Sequence, residues 1–215
     1  MNVNFQYSKT LAGEGAILLL LGLVPTVGWV LGIVGIVLLL KATKELSYYY
    51  QDDSIYRNSW TGLKYYIVGL IAAAVAIGIG IASFAATGLF AGTAPAPTLG
   101  FVGGIVAILA GIVIAFVFYV LAALHLRKVF STLAQKSGES SFETAGTLLW
   151  IGSILTIIGV GLILILIAWI FATLGFFGMK PKDYQPYTAQ TNGYGYTPPP
   201  TTQPPQTQPI QNARI

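Results

Sequence analysis

Of the 215 residues, 55% are hydrophobic and only 8% are charged, where a soluble domain carries roughly a quarter, so much of the surface must face lipid. There is no cysteine, which excludes disulfides, iron–sulfur clusters and thiolate metal sites. The net charge of +4 comes from dispersed Lys and Arg beside apolar runs, with no basic patch for nucleic acid; cations so placed mark the cytoplasmic edge of membrane segments.

Residues 1–10 are largely polar, carry Phe5 and Tyr7, and read as an interfacial entry. Lys9 precedes an apolar run, but Val24-Pro25-Thr26 is a poor cleavage site, so an uncleaved first segment is expected. Between Gly15 and Leu40 the chain is uncharged and interrupted by Pro25-Thr26-Val27-Gly28. One reading is a single helix kinked at Pro25. The other is two segments, 11–24 and 28–46, meeting at a turn, because proline disfavours helix at Val24 and Gly28 permits a tight bend; the first segment is then short, re-entrant or shallow.

Lys41, Lys44, Glu45, Tyr48–Tyr50, Asp52, Asp53, Tyr56, Arg57, Trp60 and Lys64 follow, basic and aromatic residues as at a cytoplasmic membrane interface. From Tyr65 to Leu126 there is no Lys, Arg, Asp or Glu. Thr93-Ala94-Pro95-Ala96-Pro97-Thr98 divides this stretch into two runs, each long enough to cross a ~30 Å hydrocarbon core. It predicts a transmembrane hairpin with an external tip, and Arg127, Lys128 and Lys136 return to the cytoplasmic side. Small residues line up every fourth position: Ala74, Gly78, Ala82 and Ala86 on one helix, Gly103, Ala107, Gly111 and Ala115 on the other. Small residues let membrane helices approach closely, and closing the hairpin at Ala94-Pro95 sets Ala86 against Gly103, Ala82 against Ala107, Gly78 against Gly111 and Ala74 against Ala115.

Residues 144–179 are again uncharged, too long for one span, and Gly159-Val160-Gly161 offers a turn between segments 142–158 and 162–177. Lys180 and Lys182 then lie inside. Ala12-Gly13, Ile17-Leu18-Leu19 and Gly28 faintly echo Ala145-Gly146, Ile151 and Gly159. The sum is an all-α, polytopic transmembrane bundle over residues 1–182 with about six segments, two long central ones and short ones at each end. Both termini are expected in the cytoplasm of a multi-pass cell-membrane protein; a four-helix alternative puts both outside. From Asp183 the chain turns to Pro, Gln, Thr and Tyr, cannot bury a core, and is expected to be disordered.

Three stretches, Ser8–Leu18, Val24–Leu31 and Phe142–Phe177, resemble an uncharacterised, largely archaeal family of integral membrane proteins, domain-of-unknown-function family 996. The resemblance covers most of residues 8–180. It implies an archaeal cell membrane and carries no reaction, ligand or catalytic residue. Glu14 stands where the pattern leads one to expect an apolar residue.

Side chains able to do chemistry are few. Glu14, between two glycines, could couple protons or cations, but equally sits near a helix start, where an acid is favourable. His125 could titrate yet has no second ligand nearby in sequence. Asp52-Asp53 lacks a third oxygen for a cation. Trp29, Trp150 and Trp169 could stack on a ligand or serve as belts and packing. The Pro-rich tail could meet a protein partner. No Ser-His-Asp or Cys-His set, Walker loop or H-E-x-x-H motif is present. No catalytic, cofactor-binding or metal-binding residue and no cofactor is therefore assigned. The expected function is a non-enzymatic structural, assembly or interaction component of the membrane; the alternative is a small transporter or channel for an uncharged or weakly polar solute, framed by the interrupted end segments.

Overall fold

The computed structural model describes residues 4–22, 24, 28–87 and 99–181. These form six helices: α1 Phe5–Leu21, α2 Gly28–Tyr50, α3 Asp53–Ala86, α4 Leu99–Ser137, α5 Ser141–Leu155 and α6 Gly161–Gly178, with a 3₁₀ turn at Thr156–Ile158 before α6. Among the described residues there is no strand. The expected break at Thr93–Thr98, the residues Pro25–Val27, Lys182 and the tail from Asp183 lie outside them. Among the described residues four helical stretches are long and apolar enough to cross a membrane: Asp53–Ala86, Gly100–Ser137, Ser141–Ile158 and Gly161–Gly178.

The helices pair as three hairpins, α1–α2, α3–α4 and α5–α6. Each helix packs on its chain neighbours and α6 returns to α1, closing a ring. Polar groups fix the ends. The Asn4 side chain accepts the Gln6 and Tyr7 amides at 3.1 and 3.3 Å, two of the donors a helix start leaves free. Asp52 caps α3 through the Ser54 amide at 3.0 Å. Gly138, at φ 70°, turns the chain after α4, and Glu139 then accepts the Ser141 hydroxyl at 2.7 Å. Gly159, at φ 83°, makes the α5–α6 turn, a conformation that side chains with a Cβ resist.

The kinked single helix at Pro25 is not what forms; α1 and α2 are separate and pack on each other, with Gly15 against the backbone of Gly35 and Leu39. Two boundaries move outward. Helix α1 begins at Phe5, inside the expected polar entry, because Asn4 supplies a cap. The aromatic, basic stretch 41–64 is helical except around Gln51, at φ 54°, and Asp52, so the interface is a sharp corner between two helices.

The small-residue register is corrected. A Cβ on Gly78 or Gly103 would meet nothing within 4 Å, and Ala74, Ala82 and Ala86 are exposed. The contact runs instead through Gly62, Gly69, Ala76 and Gly80 on α3. Gly62 faces Ala122 and His125, Gly69 faces Ala115 and Phe118, Gly111 abuts Ala76, and Gly80 faces Gly104 and Ile108. Gly111 and Ala115 were expected in the seam and are there, against other partners. The reason is geometric. Four residues advance a helix by about 400°, so a strict every-fourth row drifts ~40° per step off the facing line, whereas a seam between near-parallel helices averages about 3.5 residues.

The core lies at the end where charged residues gather. Phe130, Phe142 and Phe176 are buried with ring centres 5.0 to 6.2 Å apart, and Trp169 meets Phe130 edge-on.

Candidate functional site

Between the three hairpins lies a cavity of about 540 Å³ to which all six helices contribute. Small residues make the room: Gly32 on α2, Gly62 on α3, and Ala122 and Ala123 on α4 all line it. Leu19, Ile36, Leu39, Leu63, Leu126, Leu149 and Ile165 complete an apolar wall. Among the described residues that line it, none is Asp, Glu, His, Lys or Arg. Two tryptophans bracket it: Trp169, 9% exposed, at the inner end, and Trp29, 68% exposed, near the start of α2.

Three hydroxyl-bearing residues, Ser59, Tyr66 and Tyr119, are part of the lining. The Ser59 hydroxyl is committed to the Ile55 carbonyl at 2.9 Å. Tyr66 and Tyr119 stand side by side on α3 and α4 and also line a smaller hollow of about 230 Å³ that runs to Thr156. The larger cavity, at about 540 Å³, falls within the ~300–1,000 Å³ of small-molecule sites, which are mostly apolar with a few polar groups. No nucleophile–base pair faces it, so the arrangement can hold an apolar body and orient one polar group.

The side chains singled out in the sequence fall elsewhere, apart from two of the tryptophans. Glu14 is exposed, its neighbours Gly13 and Gly15 being pressed against Phe177 and α2. His125 places Nδ1 2.9 Å from the Leu121 carbonyl and leans on Tyr65. Asp52 pairs with Lys136 at 3.4 Å, and hydrogen bonding from Ser54, with Lys136 beside it, holds its carboxyl below the usual range. Asp53 lies in the first turn of α3, where the helix dipole favours it. Trp150 carries the Arg127 guanidinium 4.7 Å above its ring. Among the described residues no three of His, Cys, Asp and Glu gather as a metal site. Tyr66, Tyr119 and Ser59 were missed. Ser59 and Tyr66 lie on α3 and Tyr119 on α4, and only the pairing of α3 with α4 brings the tyrosines together.

Charged and tyrosyl groups tie the opposite end. Ser8 donates to Glu45 at 2.8 Å, Lys9 to the Met179 carbonyl at 3.0 Å, and Lys41 to the Tyr7 hydroxyl at 3.3 Å. Tyr50 donates to the Lys180 carbonyl at 3.3 Å, and burial pushes its phenol well above the ordinary tyrosine range.

A six-helix ring with long apolar spans, charge collected at one end and an uncharged cavity inside defines a polytopic helical membrane protein. The chain belongs to the family described as protein of unknown function (DUF996), whose model matches residues 31–170. It is similar to the uncharacterized protein MJ1644 of Methanocaldococcus jannaschii, 27% identical over 183 residues, covering 85% of this chain and 97% of that protein. No solved structure matches the chain.

Proposed function

We propose that this is a non-enzymatic, multi-pass protein of the cell membrane whose central cavity holds one hydrophobic chain of lipid type. The observation that carries this reading is the cavity itself: about 540 Å³, walled by all six helices, without an ionisable acid or base on its lining. Burial of an alkyl or isoprenoid chain needs no compensating charge, and the Tyr66 and Tyr119 hydroxyls suit a single ester, ether or alcohol oxygen. Both ends of the membrane domain are assigned to the cytoplasm, since Lys9, Lys41, Lys44, Lys136 and Lys180 are drawn to one end of the bundle and cations favour that side. The tail from Asp183 supplies a segment for a protein partner.

The test is purification in native lipid discs followed by mass spectrometry of the intact complex. The expected result is a discrete lipid-sized adduct on the native chain that Ala123→Phe removes while the protein stays monodisperse. The same adducts on both chains, or none on the native chain, would reject a cavity ligand. A weakly polar solute retained in place of a lipid would favour the transporter reading.

A further inference from the structure

The depth at which each hairpin sits can be read from where its charges stop. Going toward the hairpin tips, the last charged residue is Glu14 on α1, Lys41 on α2, Lys64 on α3 and Arg127 on α4. Packing brings these to one level. Gly15 lies on the α2 backbone at Gly35 and Leu39, and Gly62 lies on His125 and Leu126. Leu40 and Leu63 share the cavity wall. On α5 the same level is marked by Gly146, which lies against the Arg127 backbone, with the Arg127 guanidinium reaching on to Trp150.

Beyond this ring of charge the helices differ in length. Residues 65–86 of α3 extend ~33 Å and residues 99–126 of α4 ~42 Å, enough for a ~30 Å hydrocarbon core. Residues 15–21 of α1 extend only ~10 Å, 28–40 of α2 ~20 Å, and 146–158 of the α5 arm ~20 Å. Helices α5 and α6 have the length to cross, but Phe142 and Phe176 pack on Phe130, which lies on the charged side of Arg127. Glu139 likewise lies against Gly178.

The two short tips are also built for hydrocarbon. Ile157 is 74% and Ile158 66% exposed, and Leu21, Val24, Trp29 and Val160 are exposed as well. Irregular backbone survives at membrane depth only when its polar groups are paired. Here Gly159 donates to Thr156 at 3.0 Å, Ile163 to Val160 at 3.2 Å, Val24 to Leu21 at 3.0 Å and Gly28 to Val24 at 3.0 Å. Thr156 closes onto the Gly152 carbonyl at 2.8 Å.

We infer that α1–α2 and α5–α6 are half-depth hairpins that enter and leave the bilayer on the charged side, and that α3–α4 alone crosses it. The opposite arrangement, with all tips at the far surface, drags Glu14, Lys41, Lys64 and Arg127 into hydrocarbon. It also lifts the exposed Ile77, Ile79, Val106 and Leu109 of the α3–α4 arm into water. The inferred depth places the cavity within the charged-side leaflet, with Trp29 and Leu70 near the bilayer midplane. A ligand then enters from hydrocarbon and not from either aqueous phase. The depth itself stands independently of the ligand reading.

The chain has no cysteine, so single cysteines report position. Val24→Cys, Ile157→Cys and, at the α3 C-cap, Thr87→Cys are placed in the full chain in sealed vesicles, and a membrane-impermeant maleimide is applied to each face in turn. Thr87→Cys should label from the face away from the lysines. Val24→Cys and Ile157→Cys should label from neither face, and bimane attached to them should be quenched most by lipids spin-labelled at the acyl-chain end. Labelling of either tip from the Thr87 face, or no labelling of Thr87→Cys there, overturns the inference. A second measurement leaves the turns intact: the fluorescence lost on Trp29→Phe isolates Trp29, and brominated lipids locate it. Stronger quenching by bromines at the chain end than near the headgroup is expected, and the reverse order overturns the inference. Neither result changes if the cavity proves empty of lipid.

Discussion

At the charged end of the molecule every helix has two packing partners; past Ala73 the described part of α3 runs on for another ~20 Å, and there Val75, Ile77, Ile79 and Ile81, like Val102, Ile105 and Val106 of α4, are exposed. The two regions are held together by different physics. The base interlocks aromatic rings, Phe130, Phe142, Phe176 and Trp169, with hydrogen bonds that cross between helices, such as Ser8 to Glu45 and Lys9 to Met179. The arm has almost no such bonds. Its seam is small residues, Gly69, Ala76, Gly80 and Gly111, while Ile and Val point outward. Lipid tails are as apolar as those side chains, so nothing drives them inward, and close backbone approach with dispersion contacts does the joining.

The contrast can be broken most severely in the base. Phe142→Ala removes a fully buried ring and should destabilise the protein by about 3–5 kcal/mol, measured by reversible unfolding in mixed micelles; a loss below about 1 kcal/mol would mean the aromatic cluster contributes no more than the arm. In the arm, Gly111→Leu forces a side chain into Ala76 and should cost about 1–3 kcal/mol. Gly78→Leu, which meets open space, should stay within about 0.5 kcal/mol. Equal effects at the two glycines would restore the every-fourth-residue seam.

A loss smaller than those at Phe142 and Gly111 is expected at the corner joining base to arm. Asp52→Ala removes the α3 cap and should cost about 1 kcal/mol, whereas Asp52→Asn keeps a capping oxygen and should cost less. Because Ser54 and Lys136 lower the Asp52 carboxyl, its contribution is present above the unfolded carboxylate value of about 4 and is lost as pH falls through the lower folded value. The acid-side slope of stability against pH should therefore shrink in Asp52→Asn, and an unchanged slope would show that Asp52 is not lowered.

Much of the fold was legible because hydropathy and charge act along the chain. The charge-free run between Lys64 and Arg127 announced the long hairpin, and Gly159 announced the turn that α5 and α6 share. The aromatic stretch 41–64 was harder, since tyrosine and lysine mark an interface without saying whether the backbone there is loop or helix. The cavity was not legible at all. Its tryptophans looked like belt residues, and Tyr66 and Tyr119 lie 53 positions apart by their numbering, so no spacing in the chain joins them.

The sequence by itself determined that this is a helical membrane protein, that a turn falls at Gly159, and which stretches carry charge, because removing backbone amides and charges from water dominates every local choice. Only the tertiary structure decided which faces meet, how far each hairpin reaches past the ring of Glu14, Lys41, Lys64 and Arg127, and that a hollow remains between them. Helices apolar on all sides carry no hydrophobic contrast to mark an inward face. The choice then falls to the fit of small side chains between neighbours, which exists only once the helices are side by side.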